Sequence, residues 1–191
     1  RSSRTMSPMT GPSWCSARVL HDGRDIVRAD ARTVAEAIGP VAGDEIEALF
    51  ALPRGVNVHY TSRAREAAAA GPWGMEFIGS KGRARLLNDV VTDAFFLRET
   101  AISDQGQVRE WRPLLDEPAV AGTIDRSFTA ANRLVVDDWL DAIAREREPV
   151  CSGLAAMKSL EMIHAVWAAG LSRGRVELPL QSRAHPLEAG R

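Results

Sequence analysis

The sequence predicts an α+β fold: an open, mostly antiparallel β-sheet with helices packed on one face. Three observations carry this. From Asp44 to Pro113, apolar and polar residues alternate with period two between turn-forming residues. Two stretches of helical periodicity follow, around Val135–Ile143 and Met157–Trp167. The order is sheet first and helices after, which is the α+β pattern and not the alternating one.

Taken along the chain, Arg1–Ser13 is rich in Ser, Thr, Pro and Met without a period and reads as an irregular tail. Trp14–Leu20 reads as a first strand, turned at His21-Asp22-Gly23. Asp30–Ala37 reads as a short helix with Asp30 as N-cap and Gly39-Pro40 as its stop. In Glu45–Leu52 the residues Ile46, Ala48, Phe50 and Leu52 share one face. After a turn at Pro53-Arg54-Gly55, Val56, Val58 and Tyr60 continue that face. The reverse side carries Glu45, Glu47, Asn57, His59, Thr61 and Arg63, so the chain itself covers one side of this sheet only.

The next hairpin can be registered by pattern. Pairing Ile78 with Arg83 across Gly79-Ser80-Lys81-Gly82 sets Met75 against Leu86 and Phe77 against Ala84. It also sets Glu76 opposite Arg85, and a slip of one residue would scatter the apolar set. Ala94–Arg98 and Val108–Trp111 are weaker strands, and Leu115–Ser127 reads as a loop. The first helix has an apolar face of Val135, Val136, Trp139, Leu140 and Ile143. Asp137, Asp138 and Asp141 form its solvated side near the amino end. Pro149 ends the connection and Ser152 caps a second helix, which is expected to bury Met157, Leu160, Ile163, Val166 and Trp167 and to stop near Gly170 or Gly174.

A chain of 191 residues accommodates one domain with a sizeable core, read here as 14–187, with 188–191 a second tail. With 24 Lys and Arg against 25 Asp and Glu there is no net field for nucleic acid or an anionic membrane. No apolar run approaches the ~20 residues of a bilayer span. Cys15 and Cys151 lie far apart without metal-binding spacing, which suits free thiols in a reducing, cytoplasmic setting, and no secretory signal is visible. The chain opens on Arg rather than Met, so the natural start is expected upstream or removed.

Few residues announce chemistry. Lys81 in GSKG is followed by Gly82 and a strand, so this is a hairpin turn and not a phosphate loop. No G-x-G-x-x-G occurs, and Ser80, Ser152 and Ser172 lack a G-x-S-x-G context. His21, His59, His164 and His185 are too scattered to read as a metal set. His164 is expected to be a packed core residue, as are Trp139 and Trp167. His59 stands on the polar sheet face in line with Thr61 and Arg63. That face is either a solvated or subunit-facing surface, or a hydroxyl-binding surface for a sugar or polyol.

Two blocks, WGMEFIGSKGRARLLND at 73–89 and NRLVVDDWLDAIAREREPVCSGLAAMKSLEMIHAVWAAGLSRGRVELPL from Asn132, closely resemble the carboxy-terminal domain of the Gfo/Idh/MocA oxidoreductases. The resemblance runs from about Trp14 to Leu187 and ends in Arg183-Ala184-His185-Pro186-Leu187. It implies a partner Rossmann domain, absent from this sequence, that holds NAD or NADP. It also implies a carboxy-terminal open sheet that completes the substrate pocket and forms a homo-oligomer through its exposed face. The family's Glu-Lys-Pro tripeptide is missing, and nothing here matches its Asp-x-x-x-His helix. No catalytic, cofactor-binding or metal residue is therefore carried over, and this chain alone is expected to bind no cofactor. His59, Thr61, Arg63, Trp73 and Glu76 are the candidate substrate or interface residues. The rival reading is a non-catalytic assembly module or a truncated remnant of such an enzyme.

Overall fold

The computed structural model describes residues 11–35, 38–64, 73–88, 93–97, 110–114, 125 and 127–188. Residues 1–10 of the expected 1–13 tail, all but Asp125 and Ser127 of the expected Leu115–Ser127 loop, and Val108 and Arg109 of the expected Val108–Trp111 strand lie outside them. The chain groups into two compact units. One comprises Arg1–Glu66 with Cys151–Arg191, and the other Ala67–Val150.

The first unit is built on a five-stranded sheet. Its strands are β1 (Trp14–His21), β2 (Arg24–Asp25), β5 (Glu45–Leu52), β6 (Val56–Arg63) and β11 (Arg175–Glu177). The order is β11-β1-β5-β6, with β2 paired to β1, and every pairing is antiparallel. Asp22 and Gly23 close the β1–β2 hairpin with positive φ at both positions, the backbone a two-residue turn requires. A short pair, β3 (Arg32–Thr33) with β4 (Pro40–Val41), stands apart from the sheet.

The predicted Asp30–Ala37 helix does not form over its described residues. Arg28–Asp30 is a single 3₁₀ turn and Arg32–Thr33 is strand. The reason lies in Asp30. Its carboxylate does not cap a following turn but accepts from the Val27 N–H at 2.8 Å and from Arg24 at 2.6 and 2.8 Å, closing the turn behind it. These hydrogen bonds, Arg24 first, hold the Asp30 carboxyl well below the usual carboxylate range.

Helix α2 (Gly153–Ser172) covers β1, capped by Ser152, whose hydroxyl accepts from the Ala155 N–H at 3.2 Å. The core between them joins Cys15, Val19, Ala48 and Phe50 to Ala165, Val166 and Ala169. The predicted inward row is corrected here. Val166 is buried and Trp167 half-buried, but Met157, Leu160 and Ile163 are exposed. Small residues face the sheet because the helix lies very close to it: a Cβ on Gly170 would stand 2.9 Å from Val19 Cγ2. The helix ends at Arg173 in the left-handed conformation, followed by Gly174.

The second unit holds a four-stranded antiparallel sheet ordered β10-β9-β8-β7. Its strands are β7 (Trp73–Gly79), β8 (Gly82–Asn88), β9 (Asp93–Leu97) and β10 (Arg112–Pro113). The β7–β8 register is the predicted one, with Ile78 opposite Arg83, Phe77 opposite Ala84, Glu76 opposite Arg85 and Met75 opposite Leu86. Helix α1 (Phe128–Ala144) starts earlier than the periodicity suggests because Ser127 caps it through the Ala130 N–H.

Asp138 and Asp141 consequently lie in the second half of α1 and not near its amino end. They grip Arg147 at 2.6 and 2.8 Å, while Asp138 also accepts from the Val150 N–H. They are thus the clasp of the turn after α1 and not a solvated stripe. Val135, Val136, Trp139, Leu140 and Ile143 do share a side of the helix, but all five are exposed, so Trp139 is not a core residue. Both units show the predicted class, α+β with antiparallel open sheets.

Candidate functional site

Strand alternation places His59, Thr61 and Arg63 together on one face of the first unit's sheet. The register sets His59 opposite Leu49, Thr61 opposite Glu47 and Arg63 opposite Glu45. From β1, Ser16, Arg18 and Leu20 extend the same three rows. The guanidinium of Arg63 meets Glu45 at 3.1 Å and Glu47 at 3.2 Å. Arg18 meets Asp25 at 3.0 Å, and Arg175 stands over the Trp14 ring at 5.2 Å. These are exposed pairs, which orient side chains more than they stabilise the fold.

The charges on this face are therefore mostly matched within it, while His59 and Thr61 have no side-chain hydrogen-bond partner among the described residues. A neutral imidazole offers one donor and one acceptor, and the threonine hydroxyl offers both. Together they form a surface suited to hydroxyl groups or to a polar protein face. On the other side of β6, Val56, Val58 and Tyr60 continue the core face of β5 by register, yet all three are exposed.

The other two predicted residues belong to the second unit. Trp73 begins β7 and is 70% exposed. Glu76 lies between Arg83 at 3.4 Å and Arg85 at 2.9 Å, and Arg85 in turn stacks on Trp111 at 4.3 Å. Glu76 is thus a cross-strand ion-pair residue, with its carboxylate already engaged.

Two groupings arise that no sequence spacing announces. At the β1–β2 turn, ligand-capable atoms of His21, Asp22 and Asp44 lie within 4.8 Å of one another. The His21 ring stands 3.6 Å from Asp44 and 3.7 Å from Asp22, and Asp44 accepts from the Asp22 N–H at 2.9 Å. These contacts already account for the grouping as a hydrogen-bonded turn. The second is a ring cluster. His164 on α2 meets His185 edge-on at 4.7 Å, and Trp167 stands 5.2 Å from His185 while donating its indole N–H to the Ala42 carbonyl. His164 is half-buried, as a packed residue would be. Burial, and then the neighbouring His185, push its pKa down. Among the described residues no helix is long and apolar enough to cross a membrane.

The fold is one shared with part of several oxidoreductase chains. An oxidoreductase domain protein from Kribbella flavida superposes over 88% of this chain and 45% of its own, at 20% identity and a TM-score of 0.62. An NAD-binding oxidoreductase from Klebsiella pneumoniae matches over 87% and 45%, at 16% identity and a TM-score of 0.62. Levoglucosan dehydrogenase, in its complex with NADH and levoglucosan, matches over 89% and 45%, at 15% identity and a TM-score of 0.60. The chain thus spans less than half the length of each. No family model matches the sequence, and no curated protein does. At these identities the likeness establishes the fold, which is the fold expected from the 73–89 and 132–180 blocks.

Proposed function

We propose that this chain is the carboxy-terminal substrate-pocket and subunit-interface domain of an NAD(P)-dependent oxidoreductase acting on a sugar, polyol or related hydroxyl compound. The observation that carries the reading is the shared fold: nearly nine-tenths of the chain superposes on less than half of an NADH- and levoglucosan-binding dehydrogenase. In such a reaction a hydride passes from the carbinol carbon to the nicotinamide, and a base takes the hydroxyl proton. A companion Rossmann domain supplies the nicotinamide site and that base. This chain supplies a wall and a contact surface. His59 and Thr61, with hydrogen-bonding capacity to spare, and the ion-paired Arg63 form the polar sheet face; the second unit's own candidates are Trp73 and, on the opposite face of β7, Glu76.

The exposed apolar rows support a partner as well. Leu154, Met157, Leu160 and Ile163 form an exposed apolar row along α2, with Arg183 reaching Met157. The test has two arms. The isolated chain, assayed with NAD⁺ or NADP⁺ against a panel of polyols, is expected to show no turnover, and robust turnover would refute the division of labour. In sedimentation velocity it is expected to run as an oligomer that Arg63→Glu weakens. A wild-type monomer at high concentration would remove the interface role.

A further inference from the structure

The ring cluster beside α2 is not absorbed by this reading. His185 lies where three parts of the first unit meet: α2, the Gly39–Ala42 stretch and the terminal segment Gln181–Glu188. A Cβ on Gly39 would stand 3.8 Å from the His185 ring, so that backbone lies directly against it. Nδ1 of His185 accepts the Leu187 N–H at 3.2 Å, and the His185 carbonyl accepts the Glu188 N–H at 2.9 Å. A ring nitrogen that accepts carries no hydrogen, so in this arrangement the hydrogen of the His185 ring sits on Nε2. Leu187, whose amide it holds, is 4% exposed and belongs to the core.

We propose that the His164–His185 contact is a proton-operated latch, which docks the Gln181–Glu188 segment while both rings are neutral and releases it when the pair takes up a proton. A proton on His185 Nδ1 removes the acceptor for the Leu187 N–H and puts two donors in opposition. A proton on either ring also places a cation against the edge of its neighbour, in a half-buried site. The lowered pKa of His164 agrees in sign: the docked state resists protonation, so the latch is intact at neutral pH and weakens as pH falls below the ordinary histidine value.

The other charged groups on these elements are few. Helix α2 carries Lys158 and Glu161, and the terminal segment carries Arg183 and Glu188. Residues 38–42 contribute none. Of these, Glu161 is the competing explanation, because its carboxylate accepts the Leu180 N–H at 2.9 Å just before the segment.

Hydrogen exchange of the whole chain, normalised for the intrinsic pH dependence of exchange, tests the latch at pH about 7.5 and about 5, which bracket the ordinary histidine value. In the wild type, protection of the 182–188 amides is expected to fall at least tenfold at the lower pH, while the Ala165–Ala169 amides of α2 hold theirs. Asparagine can accept the N–H two residues on, as His185 does, without titrating. His185→Asn is therefore expected to keep the segment docked at both pH values, and His164→Phe to reduce the response. Glu161→Gln is expected to leave it intact. Unchanged wild-type protection, a fall shared equally by α2, a full response in His185→Asn, or its loss in Glu161→Gln would each overturn the proposal.

Discussion

Gly170→Ala is the substitution whose sign depends most directly on how α2 lies on the sheet. In an exposed helix interior, alanine is better than glycine by about 1 kcal/mol, so helix propensity alone predicts stabilisation. Here the added methyl would stand 2.9 Å from Val19 Cγ2 and 3.2 Å from Val19 Cβ. Val19 is 1% exposed and β-branched, so it can neither swing aside nor change rotamer cheaply. Overpacking of this kind costs about 1–3 kcal/mol, which outweighs the propensity gain and leaves a net loss of about 1 kcal/mol. Val19→Ala removes two methyls at about 0.8 kcal/mol each and leaves a small cavity, a loss of about 2 kcal/mol. In the double variant the methyl added at position 170 enters the space Val19 vacates. The pair should then be less destabilised than the sum of the singles, by about 1 kcal/mol. Equilibrium urea unfolding of the four proteins measures each corner. A Gly170→Ala variant more stable than wild type, or additivity within about 0.5 kcal/mol, would show that the helix does not press on β1 as described.

Further outcomes follow from contacts at Cys15, Ser152 and Glu76. Cys15 is fully buried and its thiol is pushed up to about 11 by burial, whereas Cys151 is exposed. A thiol reagent at mildly alkaline pH should therefore label one cysteine per native chain and two in denaturant. Because the unfolded thiol ionises first, stability should also fall as pH rises from the ordinary thiol range toward that value. Ser152→Ala removes the α2 cap and should cost about 1 kcal/mol in the same unfolding assay, with Ser152→Asp restoring most of it. Glu76→Ala should cost about 0.5 kcal/mol, shrinking in high salt, since Arg83 and Arg85 lose a partly exposed partner; no salt dependence would mean the pairs contribute nothing.

The parts of the fold legible in the sequence were those fixed by period-two alternation. A strand side chain has only two choices, so Glu76 opposite Arg85 and the apolar face of Ile46, Ala48 and Phe50 follow from pattern and a turn. Helix faces were less legible. Apolar residues surround α2 on most sides, and weighting by size drew attention to Met157, Leu160 and Ile163. The buried face is made by Ala165, Ala169 and Gly170, where smallness and not hydrophobicity matters. Asp30 misled for another reason: an aspartate before an apolar run can cap forward or close a turn backward. Arg24, six residues earlier on β2, and the Val27 N–H decide it. The polar face holding His59, Thr61 and Arg63 was readable as a face, but the engagement of Arg63 by two glutamates was not, because it needs side-chain reach. The His21–Asp44 and His164–His185 groupings join distant residues and leave no local trace.

The alternation of β1 has a consequence for how such a chain can change its length. Cys15 and Val19 enter the core from one side of this strand, while Ser16 and Arg18 serve the polar face from the other. Core and surface chemistry are therefore written in the same eight residues, in opposite phase. A single-residue insertion or deletion between Cys15 and Arg18 would put the two parts of the strand out of phase, sending Arg18 inward if Cys15 keeps its place, or Cys15 out if Arg18 keeps its own. A two-residue change keeps the phase and shifts only the alignment with β5. Length variation among chains of this fold should accordingly gather in the connections on either side of β1, or occur in pairs within it.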